Sequence, residues 1–255
     1  MSVAVNQSPL PSVDGLSAAR RLRARLGFWL RNDASRLLWP SRCLVCEEAG
    51  LDGMDLCGAC ERALPRMGAA CRRCALPLPV GGVCGACLRL SSPLQEVHAA
   101  CVYAAPLDRL LPRFKFHDDL AAGRLLSQLM SESFAALPRP DVLVPVPLHL
   151  GRLRSRGYDQ ALELARPLAR ALDLPLRTRW LVRRRATAPQ SERDAMARRR
   201  NMRNAFAVRE GACVAAHVAL IDDVMTTGAT LRAAAHALRR AGALRVDAWV
   251  CARTP

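Results

Sequence analysis

The stretch Val218-Ala-Leu-Ile-Asp-Asp-Val-Met-Thr-Thr-Gly-Ala-Thr-Leu231 decides how this chain is read. Four apolar residues, Val218 to Ile221, predict a strand buried on both faces of a mainly parallel sheet. Asp222 and Asp223 stand at its C-terminal edge, followed by a loop of Thr226, Thr227, Gly228, Ala229 and Thr230. The next residues, LRAAAHALRRAG, carry apolar positions at helical spacing and a Gly where a helix stops. This order makes an anion cradle: unpaired backbone N–H groups and the positive end of a helix dipole face outward, and Gly228 lets the backbone come close. The threonine hydroxyls add donors without charge. Two carboxylates would repel a phosphate placed on them, but they accept well from paired sugar hydroxyls nearby. A ribose 5-phosphate fits. Asp pairs at strand ends and capping threonines also occur without any ligand, and a receiver-type phosphorylation site places acids similarly. No G-x-x-x-x-G-K-[ST] or G-x-G-x-x-G is present, which argues against a P-loop or a dinucleotide site.

The other strong signal is four C-x-x-C pairs, Cys43/Cys46, Cys57/Cys60, Cys71/Cys74 and Cys84/Cys87, separated by ten, ten and nine residues. Such a pair presents two thiolates to one ion, and two pairs complete a tetrahedral S4 site. Eight ligands predict two structural zinc ions. A thioredoxin-like motif needs one such pair in a βαβ setting, and neither it nor an iron–sulfur cluster explains regular repetition in a Gly/Pro-rich stretch. Sequential pairing, first with second and third with fourth, is the simplest for short hairpins; an interleaved pairing stays open at this stage.

At 255 residues the chain has room for one α/β domain and a small module. Its formal charge is +16, which favours polyanionic partners, and 37 of its 38 basic residues are Arg, the exception being Lys115. No apolar run approaches the roughly 20 residues of a spanning helix. The N-terminus lacks a signal-peptide pattern. Eleven cysteines without an export signal predict a reducing cytoplasm.

Residues 1–36 form a basic extension: 1–15 read as disordered, and 16–31 as an amphipathic helix with Leu22, Leu26 and Trp29 on one face. Such a helix suits a peripheral contact with the anionic inner face of a membrane or with nucleic acid, or docking on its own protein. The cysteine-rich module spans 37–92. From 93 to 255 strands alternate with helices: HAACVYAAP as a strand, LDRLLPRFKFHDDL as a helix interrupted near Pro112, a second helix, then DVLVPVPL as a buried strand entering a Pro-rich turn. A basic turn and a helix follow, then an Arg-rich insertion at 177–203 with ten Arg against Glu192 and Asp194, and a closing strand at 244–252. The insertion is placed in sequence where it could fold over a ligand.

The string at 218–231 closely resembles the phosphoribosyl pyrophosphate (PRPP) signature of type I phosphoribosyltransferases. With LLWPSRCLVC, the KF of Lys115 and Phe116, VPVPLHLGRLRSRGYDQA, TAPQ at 187–190 and RRRNMRNAF, the whole chain resembles the ComF family. That resemblance implies a type I phosphoribosyltransferase-like α/β sheet with flanking helices behind a small double zinc ribbon. It implies that Asp222 and Asp223 hold the ribose hydroxyls at the reacting sugar, that 226–230 hold the 5-phosphate, and that magnesium accompanies PRPP. Pyrophosphate is assigned to the loop of Val146 and Pro147 with Arg152, Arg154 and Arg156, and Lys115 to the same pocket. RGYDQ departs from the family's RGFNQ, so Asp159 is expected to bring negative charge near the pyrophosphate. Family members act in DNA uptake during transformation, which implies single-stranded DNA and uptake proteins as partners. Two readings follow: an enzyme consuming PRPP, or a DNA-handling factor for which PRPP is a regulatory or residual ligand.

Overall fold

The computed structural model describes residues 41–183 and 205–255. The expected amphipathic helix at 16–31, TAPQ at 187–190 and most of the Arg-rich insertion lie outside them. A four-stranded, all-parallel sheet organises the C-terminal part: β1 (Val97–Val102), β6 (Arg245–Arg253), β5 (His217–Met225) and β2 (Val142–Pro145), in that spatial order. A short antiparallel hairpin, β3 (Leu181–Arg183) with β4 (Phe206–Val208), stands apart from it. The two smallest helices, α1 (Gly58–Arg62) and α2 (Gly85–Leu88), belong to the cysteine-rich module.

The apolar run in β5 is continuous because both faces of the sheet are covered. Val218 and Leu220 pack with α7 (Ala229–Arg240), Val246, Ala248 and Val250. Ala219 and Ile221 point the other way, among α3 (Leu107–Phe116), α4 (Leu120–Phe134) and α6 (Gln160–Ala171). A strand with only one buried face would have alternated polar and apolar residues.

Three local expectations change. Helix α3 runs straight through Pro112 instead of breaking there. Its buried face of Leu107, Leu110, Leu111 and Phe114 holds it against the sheet in spite of the lost backbone donor. The expected basic turn is a helix, α5 (Leu150–Arg156), capped by the His149 ring and ended by Gly157 at φ 76°. Finally, β5 does not stop at Ile221 but continues through both aspartates to Met225.

The cysteine-rich module shares a core with the sheet domain. Cys43, Leu56, Cys57 and Leu64 lie in the same apolar cluster as α3 and α4. Polar ties reinforce the contact, with Arg66 bridging Glu61 and Glu132, Arg124 paired to Asp55, and the Gln128 side chain donating to the Gly53 carbonyl.

Candidate functional site

Helix α6 follows β2 on one face of the sheet and α7 follows β5 on the other, so the two connections leave adjacent strands in opposite directions. The crevice this opens, at the C-terminal ends of the strands, is where open α/β sheets hold ligands. Pairing between β2 and β5 ends at Pro145 and Ile221, and Val146 makes one more bond from its N–H to the Ile221 carbonyl. Beyond it β2 turns away while β5 carries on, leaving Asp222 and Asp223 flanked by β6 alone.

The two acids have different surroundings. Lys115, at the end of α3, brings its ammonium 3.1 Å from Asp223 Oδ1, with both side chains largely buried. Asp222 accepts the Asp223 backbone N–H at 2.9 Å. Burial, together with the Asp223 charge, pushes the Asp222 carboxyl up to about 8, against the pull of that hydrogen bond and of Lys115. Near neutral pH Asp222 therefore keeps its proton.

The turn after β5 is tight and open to solvent. Gly228 has φ 70°, and a Cβ there would lie 2.3 Å from Met225 Cε. No side chain caps the start of α7; Thr227 Oγ1 reaches only the Ala229 N–H, at 3.4 Å. Thr226 and Thr227 are exposed, and Ala229 and Thr230 partly so. Exposed hydroxyls and uncapped N–H groups at a helix N-terminus can bind an anion.

Opposite lie Val146, buried, and Pro147, partly buried, at the head of the turn that enters α5. Because this segment is helical, Arg152 and Arg156 share one face while Arg154, two residues from each, projects from the opposite side. The Arg156 guanidinium sits over the Phe116 ring, 5.0 Å from its centroid. Asp159 stays within electrostatic reach of Asp222 and Asp223 while it serves the backbone. It caps α6, accepting from the Leu162 N–H at 3.1 Å, and it holds the Leu148 N–H at 3.0 Å. Burial raises its carboxyl above the usual range despite those bonds. Asp and Asn are equally good caps, which explains why the departure from RGFNQ is tolerated.

One residue was invisible in the sequence. Arg183, on β3, is pressed into the protein over the Phe206 ring. Burial lowers its pKa, the nearby Arg152 charge lowers it further, and Asp222 opposes both. The hairpin thus brings a further basic group to the crevice. Among 37 arginines in the chain nothing marked this one.

The cysteines assemble as two tetrads, Cys43/Cys46/Cys57/Cys60 and Cys71/Cys74/Cys84/Cys87, the four sulfurs of each within 4.8 Å of one another. Sequential pairing is thus the arrangement adopted. Tetrahedral Zn–S bonds of roughly 2.3 Å place sulfurs roughly 3.8 Å apart. The separations Cys46–Cys57, Cys46–Cys60 and Cys74–Cys84 are 3.5, 3.6 and 3.8 Å. Although burial opposes it, the backbone N–H groups of Cys57, Cys46 and Val45 pull the Cys43 thiol down to about 6. Cys71, similarly buried, is brought to about 7 by N–H groups that include those of Cys84 and Arg73. Burial moves Cys60, Cys74 and Cys87 the other way, Cys60 up to about 12, so the backbone donors favour thiolate, the form that binds metal, at Cys43 and Cys71 in particular. The sites fit structural zinc.

Fold and sites together define a double zinc ribbon joined to a phosphoribosyltransferase-type domain. The double zinc ribbon domain matches residues 34–88, and the phosphoribosyl transferase domain matches 159–255. DNA utilization protein YhgH of Salmonella typhi is 36% identical over 223 residues, covering 84% of this chain and 98% of that protein. Competence protein F of Haemophilus influenzae is 32% identical over 222 residues, 83% and 96% of the two chains. Competence protein ComFC of Bacillus subtilis is 30% identical over 197 residues, 73% and 79% of the two chains. The chain belongs to the ComF family. No helix among the described residues is long and apolar enough to cross a membrane.

Proposed function

We propose that the chain binds PRPP, or ribose 5-phosphate, in the crevice between β2 and β5, and that it serves DNA uptake or utilisation as its relatives' names describe. The observation carrying this reading is the juxtaposition of Asp222 and Asp223 with the uncapped Gly228 turn at the end of one buried strand. In this reading Asp223, and Asp222 once deprotonated, accept from the ribose 2- and 3-hydroxyls, while the backbone and hydroxyls of 226–230 take the 5-phosphate. Val146 and Pro147 shape the pyrophosphate loop, with charge from Arg152 and Arg156 and from Arg183 across the crevice. Arg154 is the weakest of the three helix arginines for this role because of its outward side. Lys115 holds Asp223 before ligand arrives and is placed to turn to phosphate afterwards. Magnesium would neutralise pyrophosphate and stabilise its departure; Asp222 and Asp223 are the oxygen donors nearest that task.

Calorimetric titration of PRPP with magnesium tests the reading. The unmutated protein should bind, and the double variant Asp222→Asn/Asp223→Asn should lose binding while keeping its fold. Unchanged affinity in that variant overturns the assignment. The +16 charge favours a second reading, in which the protein handles single-stranded DNA and PRPP is held without turnover. With aromatics at 4% of the chain, arginine–phosphate contacts would dominate such binding, and affinity would fall steeply with salt. Pyrophosphate release dependent on one acceptor supports the enzyme; bound but unconsumed PRPP supports the DNA-handling factor.

A further inference from the structure

Helix α5 is an arm on the surface of the domain. None of its described side chains is buried: Leu150, Gly151, Arg152 and Arg154 are exposed, and Leu153 and Arg156 are half-covered. Apolar packing therefore does little to fix where it sits, and at seven residues it is too short to hold its own shape. The stacking of Arg156 on Phe116 joins it to a ring that is itself exposed. What fixes the arm lies at its base, and the two ends of the base meet at Asp159.

The carboxylate takes one N–H from each side. Its Oδ2 accepts from the Leu148 N–H at 3.0 Å, two residues before the helix begins. Its Oδ1 accepts from the Leu162 N–H at 3.1 Å, inside the first turn of α6. Helix α6 in turn buries Leu164, Ala165 and Leu168 in the core shared with Ala219 and Ile221 of β5. One side chain thus closes residues 148–159 into a loop and fastens it to a rigid element. Two N–H groups on two separate oxygens are a task for a carboxylate. An amide in the same place offers one oxygen and one NH2, so one of the two N–H groups would face a donor.

We infer that Asp159 is a positioning residue, a clip that holds the α5 arm so that Arg152 and Arg156 are set to receive pyrophosphate. The inference rests on the phosphoribosyl reading above. Charge and geometry give opposite signs for it. Asp159 stands within electrostatic reach of Asp223, and a further carboxylate near a polyanion weakens binding, so its removal would help. A clip acts the other way, and its removal harms.

Asp159→Asn separates the two, being nearly isosteric and still a helix cap. PRPP with magnesium, and ribose 5-phosphate alone, are titrated into the full chain and into the variant. PRPP affinity should fall about ten-fold, the scale of one hydrogen bond to a charged group, while ribose 5-phosphate, which has no pyrophosphate to reach the arm, should bind as before. A general loss of stability would lower both. Amide hydrogen exchange without ligand reads the clip directly: in Asp159→Ala the Leu148 N–H should exchange at least ten-fold faster than in the unmutated protein. PRPP affinity that holds or rises in Asp159→Asn, equal losses for the two ligands, or unchanged exchange at Leu148 overturns the inference. If the unmutated protein binds neither ligand, the phosphoribosyl reading itself fails, and the exchange rate at Leu148 still decides whether the arm is clipped.

Discussion

Asp222 concentrates the electrostatics of the crevice. Its carboxyl, raised to about 8 by burial and by Asp223, keeps a proton that the unfolded chain has already released above its usual value of 3.8. The folded state therefore binds more protons than the unfolded state between about pH 4 and 8, and this residue's contribution to stability is lost as pH rises through that window. Asp222→Asn, which cannot ionise, should remove that loss, and thermal melts at pH 6 and 8.5 should show a smaller drop for the variant than for the unmutated protein. Ligand binding has the opposite dependence. A carboxylate that must accept from ribose hydroxyls or magnesium has to shed its proton, so PRPP affinity should rise between pH 7 and 8.5, by up to about ten-fold per unit below 8. That range lies above the second phosphate ionisation, near 6, so the change reports on the protein. A flat calorimetric profile would show that Asp222 binds its ligand as the neutral acid.

At the level of elements, the decisive object is α5. Read as a turn, Arg152, Arg154 and Arg156 form one cluster; wound into a helix they divide, because two residues advance about 200° around the axis. Arg152→Ala and Arg156→Ala should each weaken PRPP binding about ten-fold, the scale of one charge-assisted hydrogen bond, while Arg154→Ala should leave it nearly unchanged. Equal losses in all three titrations would mean that the segment unwinds around its ligand. The other end of the sheet has a different task. There His217, Arg245 and the Glu96 N–H converge on the buried Asp247 and tie the starts of β5 and β6 to the approach to β1, far from the crevice.

Across the whole molecule, two arginines join the zinc knuckles to the two arms of the crevice. Arg113 reaches from α3, two residues before Lys115, to the Leu44 carbonyl between Cys43 and Cys46. Arg253, at the end of β6, donates from Nε to the Cys74 carbonyl at 2.8 Å and from Nη1 to the Met225 carbonyl, just before the Gly228 turn, at 3.3 Å. Metal binding at such sites supplies on the order of 10 kcal/mol each, so the ribbons are rigid anchors when loaded. The protein should contain two zinc equivalents, and chelation should unfold 43–87 and weaken PRPP binding together. Arg253→Ala should lower PRPP affinity several-fold with zinc content unchanged at two, measured by metal analysis on the titrated sample. One equivalent of metal, or chelation that leaves affinity intact, would show that ribbon and crevice are independent.

Several features were legible in the sequence because they are local. The spacing of eight cysteines dictates two S4 sites, since a C-x-x-C pair can hardly avoid presenting both thiolates to one ion. Val218 to Leu231 dictates strand, acids, Gly turn and helix, because each step follows from neighbouring residues. What tertiary structure alone decided is long-range. As the one Lys of the chain, Lys115 was legible as a pocket residue, but that its partner is Asp223, 108 positions away, follows only from the packing of α3 on the sheet. Arg183 matters because a hairpin carries it to Arg152 and Asp222, and no local pattern sets it apart in an arginine-rich chain. Asp159, read as a charge near the ligand, is also a helix cap, because the start of α6 offers it N–H groups. Composition and spacing determine which groups are available for chemistry; which of them meet is determined by how two buried faces of one sheet are covered.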